Sequence, residues 1–227
     1  MNKLIKIITI LALLIFISGC EEKPIGKITK DTYNLKSDMD PRLKAYPEAV
    51  EWYESSMISK KSAFNLGLFY DKKLKDKDSS IIWYKRAYNL GDNNSAINIG
   101  AIYENSLNND DAIKWYLLAN NNISLTNLGL LYEKLEDYTS AKKYYKIAIE
   151  RESMDSINNI AVLYYKEKNY IKSSAYLLTL IEYPNYTKEE VVNYLRNDLK
   201  IDDETIKKGY ELQLTMPGLP RRYKGGI

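Results

Sequence analysis

Between residues 45 and 182 the apolar positions fall in paired blocks at helical spacing. The clearest pair runs from Asn98 to Ala119. It reads Asn98-Ile99-Gly100-Ala101-Ile102-Tyr103, a short polar turn, then Ala112-Ile113-Lys114-Trp115-Tyr116-Leu117-Leu118-Ala119. Alone it predicts a helix, a turn and a second helix. The chain then repeats it. Gly-x-x-Tyr occurs at Gly67/Tyr70, Gly100/Tyr103 and Gly129/Tyr132, and again with Ala for Gly at Ala161/Tyr164. The residue before the small one is Leu66, Ile99, Leu128 or Ile160. The second helix opens on Ser80, Ala112, Ala141 or Ser173, with an aromatic three residues on: Trp83, Trp115, Tyr144 or Tyr176. Then come Ala87, Ala119, Ala148 and Leu180. An earlier second helix stands alone as Ala49, Trp52, Tyr53 and Ser56. Successive anchors lie roughly 30 residues apart, a period of stacked helical hairpins.

Gly inside a helix costs about 1 kcal/mol relative to Ala. Three glycines at one register therefore imply close approach of a neighbouring backbone or ring, with small residues on one helix interdigitating with Trp or Tyr on the next. A lone hairpin cannot bury its apolar face, so neighbours must stack. Many of the 21 tyrosines fall at these seam positions, and those read as core.

These registered positions resemble the tetratricopeptide superfamily. Trp83-Tyr84-Lys85-Arg86-Ala87, followed by Leu90-Gly91 and Ala96, resembles its Sel-one-like (SLR) branch. The resemblance covers about residues 45–182; the third and fourth copies carry Tyr in place of Trp. It implies an all-α fold: a right-handed α-solenoid of stacked antiparallel helix hairpins, about four repeats plus a leading half-repeat. After the break at Tyr183-Pro184, Thr187 reads as an N-cap, with Glu189 and Glu190 in the first turn. Capping helices are expected over 183–214, the second from about Asp203 to Leu214, then a basic Pro/Gly-rich tail over 215–227.

The formal charge is +3, near balance, which gives no electrostatic case for nucleic acid. There is no His and one Cys, so Ser-His-Asp and Cys-His arrangements are excluded and the commonest transition-metal ligand is missing. Asp110-Asp111 and Asp202-Asp203 read as helix-start residues. The expectation is a non-enzymatic chain with no cofactor and no metal.

Residues 1–20 form a leader. Lys3 and Lys6 precede an apolar run, Ile7 to Ile17, short for a bilayer span. It ends in Ile17-Ser18-Gly19-Cys20, which resembles the bacterial lipobox and implies acylation of Cys20 and a stable anchor. An ordinary secretory signal ending by chance on Cys is the other reading. The same resemblance implies that Glu21, in place of Asp, leans towards the outer membrane; residues 21–44 read as a polar tether.

Asn65, Asn98, Asn127 and Asn159 stand two residues before the small position of each first helix. Asn is a middling-to-poor helix former, so the register needs a reason. One reading has the amides bonding within their own helix pair or merely following the pattern of the superfamily. In the other, which the resemblance implies, they face the concave groove and bond an extended peptide. The positions before them, Phe64, Ile97, Thr126 and Asn158, are not basic, so a carboxylate clamp is not expected. In the tail, Arg221, Arg222, Tyr223 and Lys224 are either solvated or a contact to an acidic partner or lipid headgroups. The resemblance implies a protein-binding module anchored in the envelope and facing the periplasm. Its most concrete form is an immunity protein that neutralises a secreted effector enzyme. The alternative is a scaffold or assembly factor for cell-wall or outer-membrane enzymes.

Overall fold

The computed structural model describes residues 39–227, so the leader, Cys20 and most of the tether lie outside the described residues. A short 3-10 turn, Pro41–Ala45, leads into α1 (Pro47–Ser55). Four hairpins follow: α2 (Lys60–Phe69) with α3 (Lys77–Asn89), α4 (Asn93–Asn105) with α5 (Asn109–Ala119), α6 (Asn122–Lys134) with α7 (Tyr138–Glu150), and α8 (Met154–Lys166) with α9 (Tyr170–Thr179). Then come α10 (Lys188–Asn193) and α11 (Asp203–Thr215). Among the described residues there is no strand.

Short polar side chains start the helices. Asp76, Asp92, Asn108, Asn121, Asp137, Ser153 and Asn169 each accept from the backbone N–H three residues on. Such a cap is worth about 1 kcal/mol. Thr187 and Glu190 close a reciprocal capping box, and Asp202 caps α11. Turns this short force antiparallel neighbours, and each helix from α1 to α9 packs on the next in sequence, while α11 packs back on α9: an all-α solenoid.

The glycine register has a physical cause. A Cβ built on Gly67, Gly100 or Gly129 would lie 2.5, 2.6 or 2.2 Å from the ring of Tyr84, Tyr116 or Tyr145. The ring filling the seam is thus the Tyr one position after the expected anchor. Trp83 and Trp115 reach back instead to Tyr53 of α1 and Tyr88 of the preceding hairpin, edge to face at 5.5 and 5.7 Å. Tyr144 and Tyr176 stack on Tyr132 and Tyr164 of their own. The fourth copy changes both partners together: Ala161 replaces Gly and Leu177 replaces the seam Tyr.

Carboxylates tie this seam to the next hairpin. Glu104 accepts from Tyr116 Oη at 2.8 Å and pairs with Lys134 of α6. Glu133 accepts from Tyr145 Oη at 3.2 Å and pairs with Lys166 of α8 at 2.7 Å. Burial first, then the adjacent carboxylate, raises the pKa of both phenols.

The C-terminal cap sits on α9, whose residues Ser173 to Thr179 are all buried. Helix α11 crosses it at Gly209, which is itself buried. Ser173 occupies the position of Ser80, whose Oγ donates to the Gly67 carbonyl at 2.8 Å, but the Ser173 hydroxyl is buried without a partner. The equivalent positions in the middle hairpins hold Ala112 and Ala141. Ser173→Ala is therefore expected to stabilise the chain by about 1 kcal/mol, since an unsatisfied buried hydroxyl is removed at constant shape. A thermal melt should move up by about 2–4 °C, and a fall would show that the hydroxyl is bonded.

Candidate functional site

The inner wall of the solenoid is built by the first helices. Successive first helices, α4 to α6 and α6 to α8, approach each other, and the Lys134–Glu104 and Lys166–Glu133 pairs bridge the same helices. The four asparagines lie on these helices, one per hairpin. All are half-buried. Among the described residues, none of the four side-chain amides makes a hydrogen bond. The reading in which they bond within their own helix pair therefore has no contact to support it here.

Three residues after each Asn, on the same helix face, stand Leu68, Ala101, Leu130 and Val162. Leu68, Leu130 and Val162 are exposed. Seven residues after come Lys72, Asn105, Lys134 and Lys166. The wall thus carries a row of amides beside a row of apolar side chains, with lysines along one margin. Asn65 lines a hollow of about 240 Å³ with Trp52, Leu68, Phe69 and Lys72. At the far end Val162 lines one of about 510 Å³, closed by Tyr186, Glu190 and Tyr194. The amides lining it are Asn158, which donates to Tyr186 Oη at 3.3 Å, and Asn185, rather than Asn159.

Of the residues before the asparagines, Phe64 and Thr126 turn towards the helix interfaces, whereas Asn158 faces the far hollow. Phe64 packs against Tyr84, and Thr126 Oγ1 bonds Ser156 Oγ at 2.7 Å. Phe64 and Thr126 hold the stack together, and none of the four positions presents a cation to the groove.

The tail lies on the body. Arg221 pairs with Glu152 at 3.1 Å, donates to the Glu182 carbonyl and covers the Tyr183 ring at 4.5 Å. Arg222 donates to the Leu219 and Met216 carbonyls. The Tyr223 backbone exchanges two hydrogen bonds with the buried amide of Gln213. Lys224 is exposed. Three of the four residues expected to meet a partner or remain solvated are thus engaged within the chain: the Tyr223 backbone on buried Gln213, and the two guanidinium groups on Glu152 and on the Glu182, Leu219 and Met216 carbonyls. Pattern reading had no means of seeing the Gln213 clasp, which joins residues ten apart through a helix end.

Among the described residues no group of three or more Cys, Asp or Glu side chains could hold a metal ion, and no helix is long and apolar enough to cross a membrane. Asp202 and the Asp110-Asp111 pair sit at helix starts. No curated protein matches the chain. Residues 61–94 and 124–153 match the family profile of the tetratricopeptide repeat. These two segments coincide with the α2–α3 and α6–α7 hairpins, and together with the stacked architecture they support a tetratricopeptide-like repeat, a type that is generally non-enzymatic and binds other proteins.

Proposed function

We propose that this chain is a membrane-anchored module that holds an extended segment of a partner protein along its inner wall. The observation that carries the reading is the row of four half-buried amides without a hydrogen bond. An amide offers donor and acceptor together, which suits a peptide unit of any sequence. The apolar row beside it would take alternate side chains of the same segment.

The leader supports the anchor. Acylation at Cys20 would fix the module to the envelope, facing the periplasm from the outer membrane. Anchoring raises the effective concentration of the module where a membrane-active enzyme works, so inhibition of a secreted effector enzyme is the form of binding that gains most.

The chain from Glu21 onward, used as bait in envelope extracts with crosslinking and mass spectrometry, tests this. One dominant secreted enzyme is expected. Asn98→Ala with Asn127→Ala should weaken its capture by about tenfold or more, since each lost amide contact is worth about 1 kcal/mol. In the same cells a Cys20→Ser chain should leave the membrane fraction. A broad set of envelope proteins, retained by the double variant, would favour an assembly scaffold instead.

A further inference from the structure

A second surface lies on the side of the second helices, away from the amide row. Between α7 and α9 the chain forms an open cleft of about 720 Å³, lined by Lys142, Lys143, Lys146 and Lys172 with the Tyr164 ring. It continues into a slot of about 360 Å³ under α11 and the tail, walled by Ile149, Tyr176, Leu212, Met216 and Leu219. The two share Lys146, Tyr164 and Lys172, so they form one continuous depression.

Its charge is not locally neutralised. The acids lining it are Glu167 and Glu150, and Lys142 holds Glu167 at 2.7 Å. Lys143, Lys146 and Lys172 make no ion pair among the described residues. Lys142 and Lys172 both stand 5.2 Å from the centre of the Tyr164 ring, so that aromatic face presents two ammonium groups to the cleft. Over the whole chain 33 basic residues meet 30 acidic ones, so a concentration of unpaired lysines in one depression is a local feature rather than a consequence of composition.

We infer that this cleft docks an acidic segment of a partner protein that carries one large apolar side chain. The lysines match carboxylates arrayed along a strand of backbone, and the slot matches a single aromatic or aliphatic residue. The geometry disfavours a lipid surface, because a plane of headgroups touches the lysine tips but cannot follow the cleft into the slot. A free phosphate would satisfy the lysines and leave the apolar walls unused. The inference does not depend on the amide row, and both surfaces can be occupied at once.

The test uses the full chain in a non-ionic detergent and a short fluorescein-labelled peptide of Asp and Glu with one central Phe, followed by fluorescence anisotropy. Binding is expected, and it should weaken as salt is raised. Lys143→Glu with Lys146→Glu should reduce affinity by at least about tenfold. Lys143→Gln with Lys146→Gln, neutral changes at exposed positions, should reduce it less, and circular dichroism should show both variants folded. Replacing Phe by Ser in the peptide should weaken binding by about tenfold, the effect of emptying an apolar slot. Asn98→Ala with Asn127→Ala should leave this affinity unchanged, which separates a failure here from a failure of the inner-wall reading. Equal binding by the charge-reversed chain, or equal binding of the Phe and Ser peptides, would overturn the inference. So would lysine-dependent capture on phosphatidylglycerol vesicles without capture of the peptide.

Discussion

Gly129→Ala is expected to destabilise the protein by about 2 kcal/mol, although Ala is the better helix former by about 1 kcal/mol. The new methyl would lie 2.2 Å from Tyr145 Cε1 and 2.4 Å from Cδ1. The ring has nowhere to go. Tyr145 is fully buried, and its hydroxyl is tied to Glu133. Forcing a methyl into such a seam costs about 3 kcal/mol, which outweighs the helical gain. The melting temperature should fall by about 4–8 °C. The fourth hairpin shows how the conflict is relieved. There Ala161 stands with Leu177 in the seam and Tyr165 where the others have Asp71, Glu104 or Glu133. Gly129→Ala combined with Tyr145→Leu should therefore recover much of what the single change loses, with a coupling of at least about 1 kcal/mol in a double-mutant cycle. Strict additivity would mean that the glycine is not there for the ring.

That seam also shows how far the pattern of residues could be read. The glycine register was legible, because a helical Gly is costly wherever nothing presses on it. Which aromatic presses on it was not. Trp83 and Tyr84 are adjacent, about 100° apart on the helix, and both belong to its buried stripe. Only three-dimensional packing sends Trp83 back to Tyr53 and Tyr84 across to Gly67.

The turns divide similarly. The residue before each N-cap from α3 to α9 is left-handed: Lys75, Gly91, Leu107, Asn120, Glu136, Glu152 and Lys168. Gly91 and Asn120 announce this, since such residues favour that region. Leu107 and Glu152 do not, and the caps that follow them hold the turn. For the candidate surfaces, the spacing of the four asparagines was visible in the chain, whereas their lack of a partner is a property of the packed helices. The lysine cleft was invisible, because Lys146 and Lys172 are 26 residues apart and the surrounding charges average out along the sequence. The Arg221–Tyr223 segment read as either a solvated tail or a contact because its composition is basic and rich in Pro and Gly. Its actual partners, Glu152, Glu182 and Gln213, are brought to it only by the fold.

A larger loss is expected at Gly209, where the obstacle is backbone. A Cβ there would meet Ser174 Cβ at 2.6 Å, and Ala175 N and the Ile171 carbonyl oxygen at 3.0 Å. A side chain can rotate away, but the main chain of α9 is fixed by its own helical hydrogen bonds. Gly209→Val adds two methyls to that contact and should cost about 3–4 kcal/mol by lifting α11 from α9. What α11 covers is one side of α9, whose residues Ser173 to Thr179 are all buried, so its release exposes core surface at the open end of the stack. In a solenoid each hairpin is held mainly by its neighbours, so the damage should stay local. Amide exchange should accelerate in α9, α11 and the tail clasped by Gln213, while α2 to α5 keep their protection. A hydrophobic dye should bind the variant before global unfolding. Faster exchange spread evenly over all the hairpins would show one cooperative unit rather than a stack. A Gly209→Val chain that melts like its parent would show that α11 can ride higher on α9, and that the close crossing is not what closes the solenoid.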